Sequence, residues 1–162
     1  MESSELNDRQ EMEYVGFWPR TGAALIDSLL LVLITGPLLW SVYGPDYFLE
    51  DLGWVAGPAD FLISWILPAV ATVMFWAYKR ATPGKMAISA EVVDARTGEP
   101  AATGQLVGRY LAYYVSVIPL FLGIIWVAFD SRKQGWHDKL AGTVVIRPRN
   151  RSPRPVVFEG DR

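Results

Sequence analysis

The sequence predicts an all-α membrane protein: a small bundle of transmembrane helices with a short cytoplasmic cap that resembles a β-hairpin. Three observations support this fold class. Hydrophobic residues make up 51% of the chain, and they are concentrated in three apolar segments at about 21–43, 59–78 and 106–129. About 20 apolar residues are needed to cross a bilayer as a helix, and each segment approaches or exceeds that length. Two short stretches rich in β-branched residues predict the cap.

The apolar segments contain few charges. The first contains only Asp27, the second none from Phe61 onward, and the third only Arg109. The residues before the first segment are acidic and Asp27 interrupts its apolar run, so we interpret it as a retained span and not as a cleaved secretory signal. The aromatic residues near the segment ends are typical of membrane interfaces: Phe17, Trp18, Trp40, Tyr43, Trp76, Tyr78 and Trp126.

Length and composition exclude several other classes. A chain of 162 residues fits one domain, and the absence of cysteine excludes a disulfide framework. The 15 basic and 17 acidic residues give a net charge of -2, which does not favour a nucleic-acid partner. We divide the chain into a polar acidic tail (1–13), a transmembrane domain (14–147) and a basic, proline-containing tail (148–162).

Loop charges predict the orientation, because cytoplasmic loops carry an excess of Lys and Arg. The loop 44–60 contains four acids and no base, whereas four bases lie between the second and third segments. The first loop is therefore expected outside and the amino terminus inside. Three simple spans would place residues 130–162 outside, although they hold eight of the chain's 15 bases.

Pro119, near the middle of the third segment, offers a solution to this conflict. Proline removes a helix hydrogen bond and clashes with the preceding turn, so a break at this point would let two short helices enter and return on the cytoplasmic side as a re-entrant hairpin. A single kinked span is the alternative. The stretches Ile88–Ala95 and Thr143–Ile146 are rich in β-branched residues and are predicted to form strands. Their pairing would require the tail to lie inside.

Ionisable residues within apolar segments are the main candidates for function, since a charge at mid-membrane costs on the order of 2.5–3.5 kcal/mol. Asp27 follows Arg20 by seven residues, which places both on one helix face. We predict a charge cluster with Arg20 and Arg109 at the cytoplasmic edge and Asp27 below them. The alternative is that Arg20 extends to the headgroups and Asp27 is hydrogen-bonded between helices.

Two further polar stretches deserve note. The segment FDSRKQGWHDKLAGT contains Asp130, the chain's only histidine, His137, and Asp138. One histidine and two carboxylates are a weak metal signal, and we predict no metal and no cofactor. Pro83, Gly84 and Lys85 are predicted to form a tight turn leaving the membrane, and they lack the glycine spacing of a phosphate loop.

Four blocks, FWPRTGAALIDSLLL, ATPGKMAISAEVVDARTG, GRY and FDSRKQGWHDKLAGTVVI, resemble the RDD family of bacterial membrane proteins in content and order. The resemblance implies that Arg20 is the family arginine and Asp27 the first aspartate. Either Asp130 or Asp138 fits the second aspartate, and we prefer Asp138. The family is typically found in the bacterial cytoplasmic membrane and mostly lacks an assigned molecular function. A few members are linked to sodium or potassium efflux by cation/proton antiport.

Two functions follow as hypotheses. The first is a non-enzymatic accessory, assembly or membrane-structural protein, whose partners are the lipid bilayer and a second copy or another membrane protein. The second is a monovalent cation/proton antiporter or small transporter in which Asp27 binds the ion, with Arg20 beside it. An enzyme is not expected, because no Ser/His/Asp arrangement and no set of metal ligands is visible.

Overall fold

The structure is a computed structural model that describes residues 12–49 and 54–149. The predicted tails, 1–13 and 148–162, lie almost entirely outside the described residues. Only Met12, Glu13, Pro148 and Arg149 of those tails are described. Glu50 and Asp51, two of the acids counted in the first loop, also lie outside them.

Two long helices match the first two apolar segments. Helix α1 (Phe17–Tyr43) and helix α2 (Pro58–Lys79) are both long and apolar enough to cross a membrane. Helix α1 begins four residues before the predicted segment, so it includes Arg20 in its first turn. A π turn at Leu62–Ile66 precedes Pro68 in α2, and such a widened turn accommodates a residue that has no N–H to donate.

A short helix follows α2 where a turn was predicted. Arg80 ends α2 in the left-handed conformation (φ 57°), and helix α3 (Pro83–Ala87) begins with Thr82 as its N-cap. The prediction of a tight turn at Pro83, Gly84 and Lys85 is therefore wrong. Proline at the first helical position has its φ preset for a helix and loses no hydrogen bond there, so the same residues that suggested a turn begin a helix.

The third apolar segment is broken at the predicted place. Helix α4 (Thr103–Val117) is followed by helix α5 (Leu122–Ile125) and a 3-10 turn (Trp126–Ala128), and the two parts are bent by 112°. Leu120 and Phe121, directly after Pro119, have positive φ of 55° and 62°. Gly123 permits the return, because a Cβ there would lie 2.6 Å from Ser116 Cα. The predicted break at Pro119 is confirmed.

A small antiparallel sheet joins three distant parts of the chain. Its strands are β1 (Met12–Tyr14), β2 (Glu91–Asp94) and β3 (Thr143–Pro148), in the order β1-β3-β2. The predicted pairing of the two β-branched stretches is confirmed, with Val92 opposite Val145. The hairpin-like description is wrong, because α4, α5 and helix α6 (Trp136–Ala141) separate β2 from β3 and a third strand is present.

The hydrophobic core lies between this sheet and the adjacent ends of the helices. It comprises Val15, Trp76, Ala90, Val92, Leu106 and Val145. The middle of α1, in contrast, exposes large apolar side chains, including Leu25 and Leu33 at 67% and 61%. Such a continuous apolar surface suits a lipid environment and not water.

Candidate functional site

Arg20 connects helix α1 to the segment around α6. Its Nη1 lies 2.5 Å from Asp138 Oδ2, its Nε donates to Val15 O at 2.9 Å, and its Nη2 donates to Lys133 O at 2.7 Å. All three guanidinium nitrogens therefore have partners. The interaction with Asp138 spans 118 residues of sequence, so it depends on the complete fold.

Arg109 reaches the same carboxylate from helix α4. Its side chain is fully buried, and its Nη2 lies 2.8 Å from Asp138 Oδ1. The guanidinium carbon lies 5.0 Å from the centre of the Trp76 ring, a distance typical of a cation–π contact. Nη1 is 3.4 Å from Thr143 Oγ1. We call Arg20, Arg109 and Asp138 the arginine–aspartate cluster.

Asp138 is held in place by its own helix as well as by the two arginines. It is the third residue of α6, and its Oδ2 accepts a hydrogen bond from Gly135 N at 2.9 Å, which caps the helix. Burial alone would raise the pKa of the Asp138 carboxyl, but the guanidinium groups of Arg109 and Arg20 hold this pKa well below its usual range. Asp138 is therefore a carboxylate in the folded protein.

His137 lies beside the arginine–aspartate cluster. Its ring stacks on Tyr113 with centroids 3.9 Å apart, and its Nδ1 lies 3.3 Å from Ser116 Oγ. Burial and the surrounding positive charges of Arg109, Arg20 and Lys85 lower the pKa of His137 to about 3, although Asp138 opposes them. The ring is neutral at physiological pH, which makes it a packing group and not a proton donor there.

Asp27 does not join this cluster. Its Oδ2 accepts a hydrogen bond from Thr82 Oγ1 at 2.5 Å and its Oδ1 accepts one from Gly84 N at 2.7 Å. The predicted pairing of Asp27 with Arg20 and Arg109 is therefore wrong, and the alternative, a hydrogen-bonded Asp27 between helices, is confirmed. A carboxylate is favourable at the amino end of a helix, where N–H groups lack intrahelical partners, and α3 supplies one such group, the N–H of Gly84.

Gly84 makes this contact between α1 and α3 close. A Cβ at Gly84 would lie 2.0 Å from Ala23 O and 2.9 Å from Asp27 Cγ. Only glycine fits at this position without moving one of the helices. Lys85, the next residue, is buried with 8% exposure.

Asp130 lies apart from the cluster, near the protein surface. Its Oδ1 is 2.5 Å from Lys139 Nζ, and its Oδ2 accepts hydrogen bonds from the N–H groups of Arg132 and Gln134. The bonds from these two N–H groups and from Lys139 lower the pKa of Asp130. The structure therefore brings Asp138, and not Asp130, to Arg20.

A second buried carboxylate, at the far ends of α1 and α2, was missed. Asp60 is 4% exposed, and it accepts hydrogen bonds from Tyr47 Oη at 2.8 Å, Ser64 Oγ at 2.6 Å and Ala56 N at 2.8 Å. Its own N–H donates to Tyr43 Oη at 3.0 Å. Sequence reasoning counted Asp60 only as a loop acid; the nearby tyrosines and Ser64 one helical turn later were the available signal.

The arginine–aspartate cluster is an ion-pair network in which both oxygens of the carboxylate are engaged. Both carboxylate oxygens of Asp138 face guanidinium groups and its neighbour His137 is neutral. Among residues 12–49 and 54–149, no group of three or more His, Asp or Glu side chains is placed to hold a metal ion. The geometry joins α1, α4 and α6 and offers no exposed nucleophile.

The chain is similar to several bacterial proteins. An uncharacterized protein of Rickettsia prowazekii is 43% identical over 75 residues, which cover 46% of this chain and 41% of that protein. The uncharacterized membrane protein YteJ of Bacillus subtilis is 28% identical over 160 residues, or 90% of this chain and 92% of that protein. The proline-rich antigen of Mycobacterium leprae is 27% identical over 56% of this chain and 38% of its own length.

No solved structure matches the chain with significance. The family model described as the RDD family matches residues 14–142, a range that includes Arg20, Asp27, Arg109 and Asp138. The chain therefore belongs to the RDD family of membrane proteins.

Proposed function

We propose that this protein is a non-enzymatic, membrane-structural or assembly protein in which the arginine–aspartate cluster fixes the apolar segments to one another. The observation that carries the proposal is the position of Asp138, whose two oxygens face arginines from α1 and α4 at 2.5 and 2.8 Å. A carboxylate neutralised in this way is suited to holding helices together. It is poorly suited to exchanging ions.

The same proposal includes an orientation. The sheet collects the segment before α1, the segment after α2 and the segment after α5. If α1 and α2 each cross the bilayer, these three segments share one side, and α4 and α5 then enter and return without crossing. The first loop (44–60) contains no base, whereas the segment after α5 contains five bases within 130–149. Because Lys and Arg are enriched in cytoplasmic loops, we place the sheet in the bacterial cytoplasm.

Removal of the shared carboxylate tests the structural role. Asp138→Asn leaves the buried guanidinium group of Arg109 and the half-buried one of Arg20 without their counter-ion, and breaking a buried ion pair in this way costs about 3–5 kcal/mol. We expect a large fall in Tm or in the amount of folded protein in detergent. Asp46→Asn, on an exposed residue of the first loop, is the matched control and should behave much like the wild type. Equal melting of both variants and the wild type would contradict the structural role.

Cysteine labelling tests the orientation. The native chain has no cysteine, so Asp46→Cys and Thr97→Cys can be labelled with a membrane-impermeant maleimide without background. In intact cells we expect Asp46→Cys to react and Thr97→Cys to react only after lysis. Labelling of Thr97→Cys in intact cells would overturn the orientation.

Cation/proton antiport is the second candidate, because Asp27 lines a cavity of about 490 Å³ between α1, α2, α3 and α4. Against it, both Asp27 oxygens already accept hydrogen bonds from Thr82 and Gly84. In reconstituted vesicles, antiport predicts that sodium, lithium or potassium collapses a pH gradient and that Asp27→Asn abolishes the effect. We expect no such coupling in the wild type.

A further inference from the structure

The cavity beside Asp27 contains a cation, the ammonium group of Lys85, that forms no hydrogen bond and no ion pair with the part of the chain that the structure describes. Lys85 lines the cavity and is more than nine-tenths buried. The ammonium lies over the Trp76 ring, whose centroid is 5.9 Å from Nζ. A cation–π contact is worth roughly 0.5–2 kcal/mol, which does not replace the hydration of a buried ammonium.

The neighbouring carboxylates are already engaged. The oxygens of Asp27 accept hydrogen bonds from Thr82 and Gly84, and those of Asp138 face Arg20 and Arg109. Together with Lys85, these buried or half-buried charges are three cations and two carboxylates. The cations are Lys85, Arg20 and Arg109, and the carboxylates are Asp27 and Asp138. One positive charge is left without a counter-ion, and burial is costly for an unpaired charge.

The walls of the cavity are apolar and continue onto the lipid-facing surface. Leu31 and Phe75 line it from α1 and α2, and Tyr110 and Tyr113 line it from α4. Ile34, also in the lining, is 54% exposed on the surface of α1. The cavity therefore combines a polar end at Lys85 with an apolar side that an alkyl chain can enter from the bilayer.

We expect Lys85 to lie near the depth of the lipid headgroups. Helix α2 ends at Lys79, and α3 begins four residues later at Pro83. Lys85 thus lies where the chain leaves the apolar region, at the level at which basic side chains meet lipid phosphates. A volume of about 490 Å³ is within the usual range for small-molecule sites and is too small for an entire lipid.

We propose that this cavity is a binding site for one anionic membrane phospholipid, with the phosphate bonded to the Lys85 ammonium and the upper part of one acyl chain against Leu31 and Phe75. The phosphate supplies the missing negative charge without displacing either partner of Asp27. The rest of the lipid remains in the bilayer. Burial lowers the pKa of Lys85, and a phosphate bonded to the ammonium favours its charged form.

Lipid retention by the purified chain tests the proposal. The full-length protein in neutral detergent is mixed with phosphatidylglycerol or phosphatidylcholine, and bound lipids are counted by native mass spectrometry while Tm is followed. We expect one tightly retained phosphatidylglycerol and a higher Tm with that lipid only. Lys85→Met should weaken retention at least tenfold, whereas Lys79→Met, which removes an exposed base at the end of α2, should not.

Three results would overturn the proposal: equal retention of both lipids, unchanged retention in Lys85→Met, or equal stabilisation by glycerol 3-phosphate, which would indicate a site for a free anion. Should Lys85→Met fail to fold, Ala71→Phe decides the matter. That variant keeps the ammonium and fills the cavity from α2, so it should lose phosphatidylglycerol while remaining folded. Normal retention by Ala71→Phe would also contradict the proposal.

Discussion

Asp138 and Asp60 are buried aspartates near opposite ends of the helix pair α1–α2, and they are stabilised by different kinds of groups. Asp138 faces two guanidinium groups, one of them 118 residues away in sequence. Asp60 accepts hydrogen bonds from neutral donors, all within 13 residues of it. The 27 residues of α1 separate the two ends by about 40 Å. We call the end near Asp138 the sheet end and the end near Asp60 the local end. The contacts of the sheet end join residues far apart in sequence, whereas those of the local end lie within one short segment.

Arg109→Gln should have the largest effect on stability, and it tests the sheet end directly. The substitution removes a fully buried cation and leaves Asp138 with Arg20 alone, so we expect the free energy of unfolding to fall by about 3–5 kcal/mol. Arg132→Gln, which removes an exposed arginine bonded to Ala95 O, is the control. Denaturation in detergent measures both. Similar stabilities for the two variants would show that the arginine–aspartate cluster does not hold the sheet end together.

Gly84→Ala should come next, because its Cβ would lie 2.0 Å from Ala23 O. Overpacking of this kind costs about 1–3 kcal/mol, and here it also displaces the N–H that donates to Asp27. Gly104→Ala is the matched control, since a Cβ there meets no atom within 4 Å and alanine favours the helix. Thermal melting should show a lower Tm for the first variant only. A wild-type Tm for Gly84→Ala would mean that α3 is not fixed against α1.

Asp60→Asn should have a smaller effect at the local end. The amide retains one acceptor oxygen, but its NH₂ group replaces the other and meets donors from Tyr47, Ser64 or Ala56. We expect a loss of about 1–2 kcal/mol. Asp46→Asn, on an exposed residue of the same loop, is the control. A loss as large as that of Arg109→Gln would remove the contrast between the two ends.

The smallest expected effect is a pH dependence from His137. Its pKa is lowered to about 3 in the folded protein, so below about 6.5 the unfolded chain binds a proton that the folded chain does not. Stability therefore falls on acidification, by about 1 kcal/mol between pH 7 and 5.5. Asp138, whose pKa is also lowered, adds a further loss only below about pH 4.

The measurement is Tm against pH for the wild type and for His137→Gln. We expect the decrease between pH 7 and 5.5 to be absent in the variant. Persistence of the full decrease would assign it to another group.

The apolar segments could be predicted from the sequence because a membrane span depends on composition over about 20 residues. The break at Pro119 was also predictable, because proline removes a hydrogen bond from its own turn of helix. The partners of Asp27 could not be predicted. Its spacing of seven residues from Arg20 indicates a shared helix face, but it does not show that α3 folds back onto α1. Strand β1 was missed because three residues are too few for a pattern of alternation.

The position of Asp138 has a consequence for synthesis of the chain. Arg20 emerges from the ribosome 118 residues before the carboxylate that neutralises it, and β3, the central strand of the sheet, is made after both of its neighbours. The apolar segments are therefore inserted before the ionic contact that holds them can form. A nascent chain that stops before α6 carries two arginines without their counter-ion and two strands without the strand that joins them. An incomplete chain therefore differs from a finished one in its unpaired charges and unpaired strands.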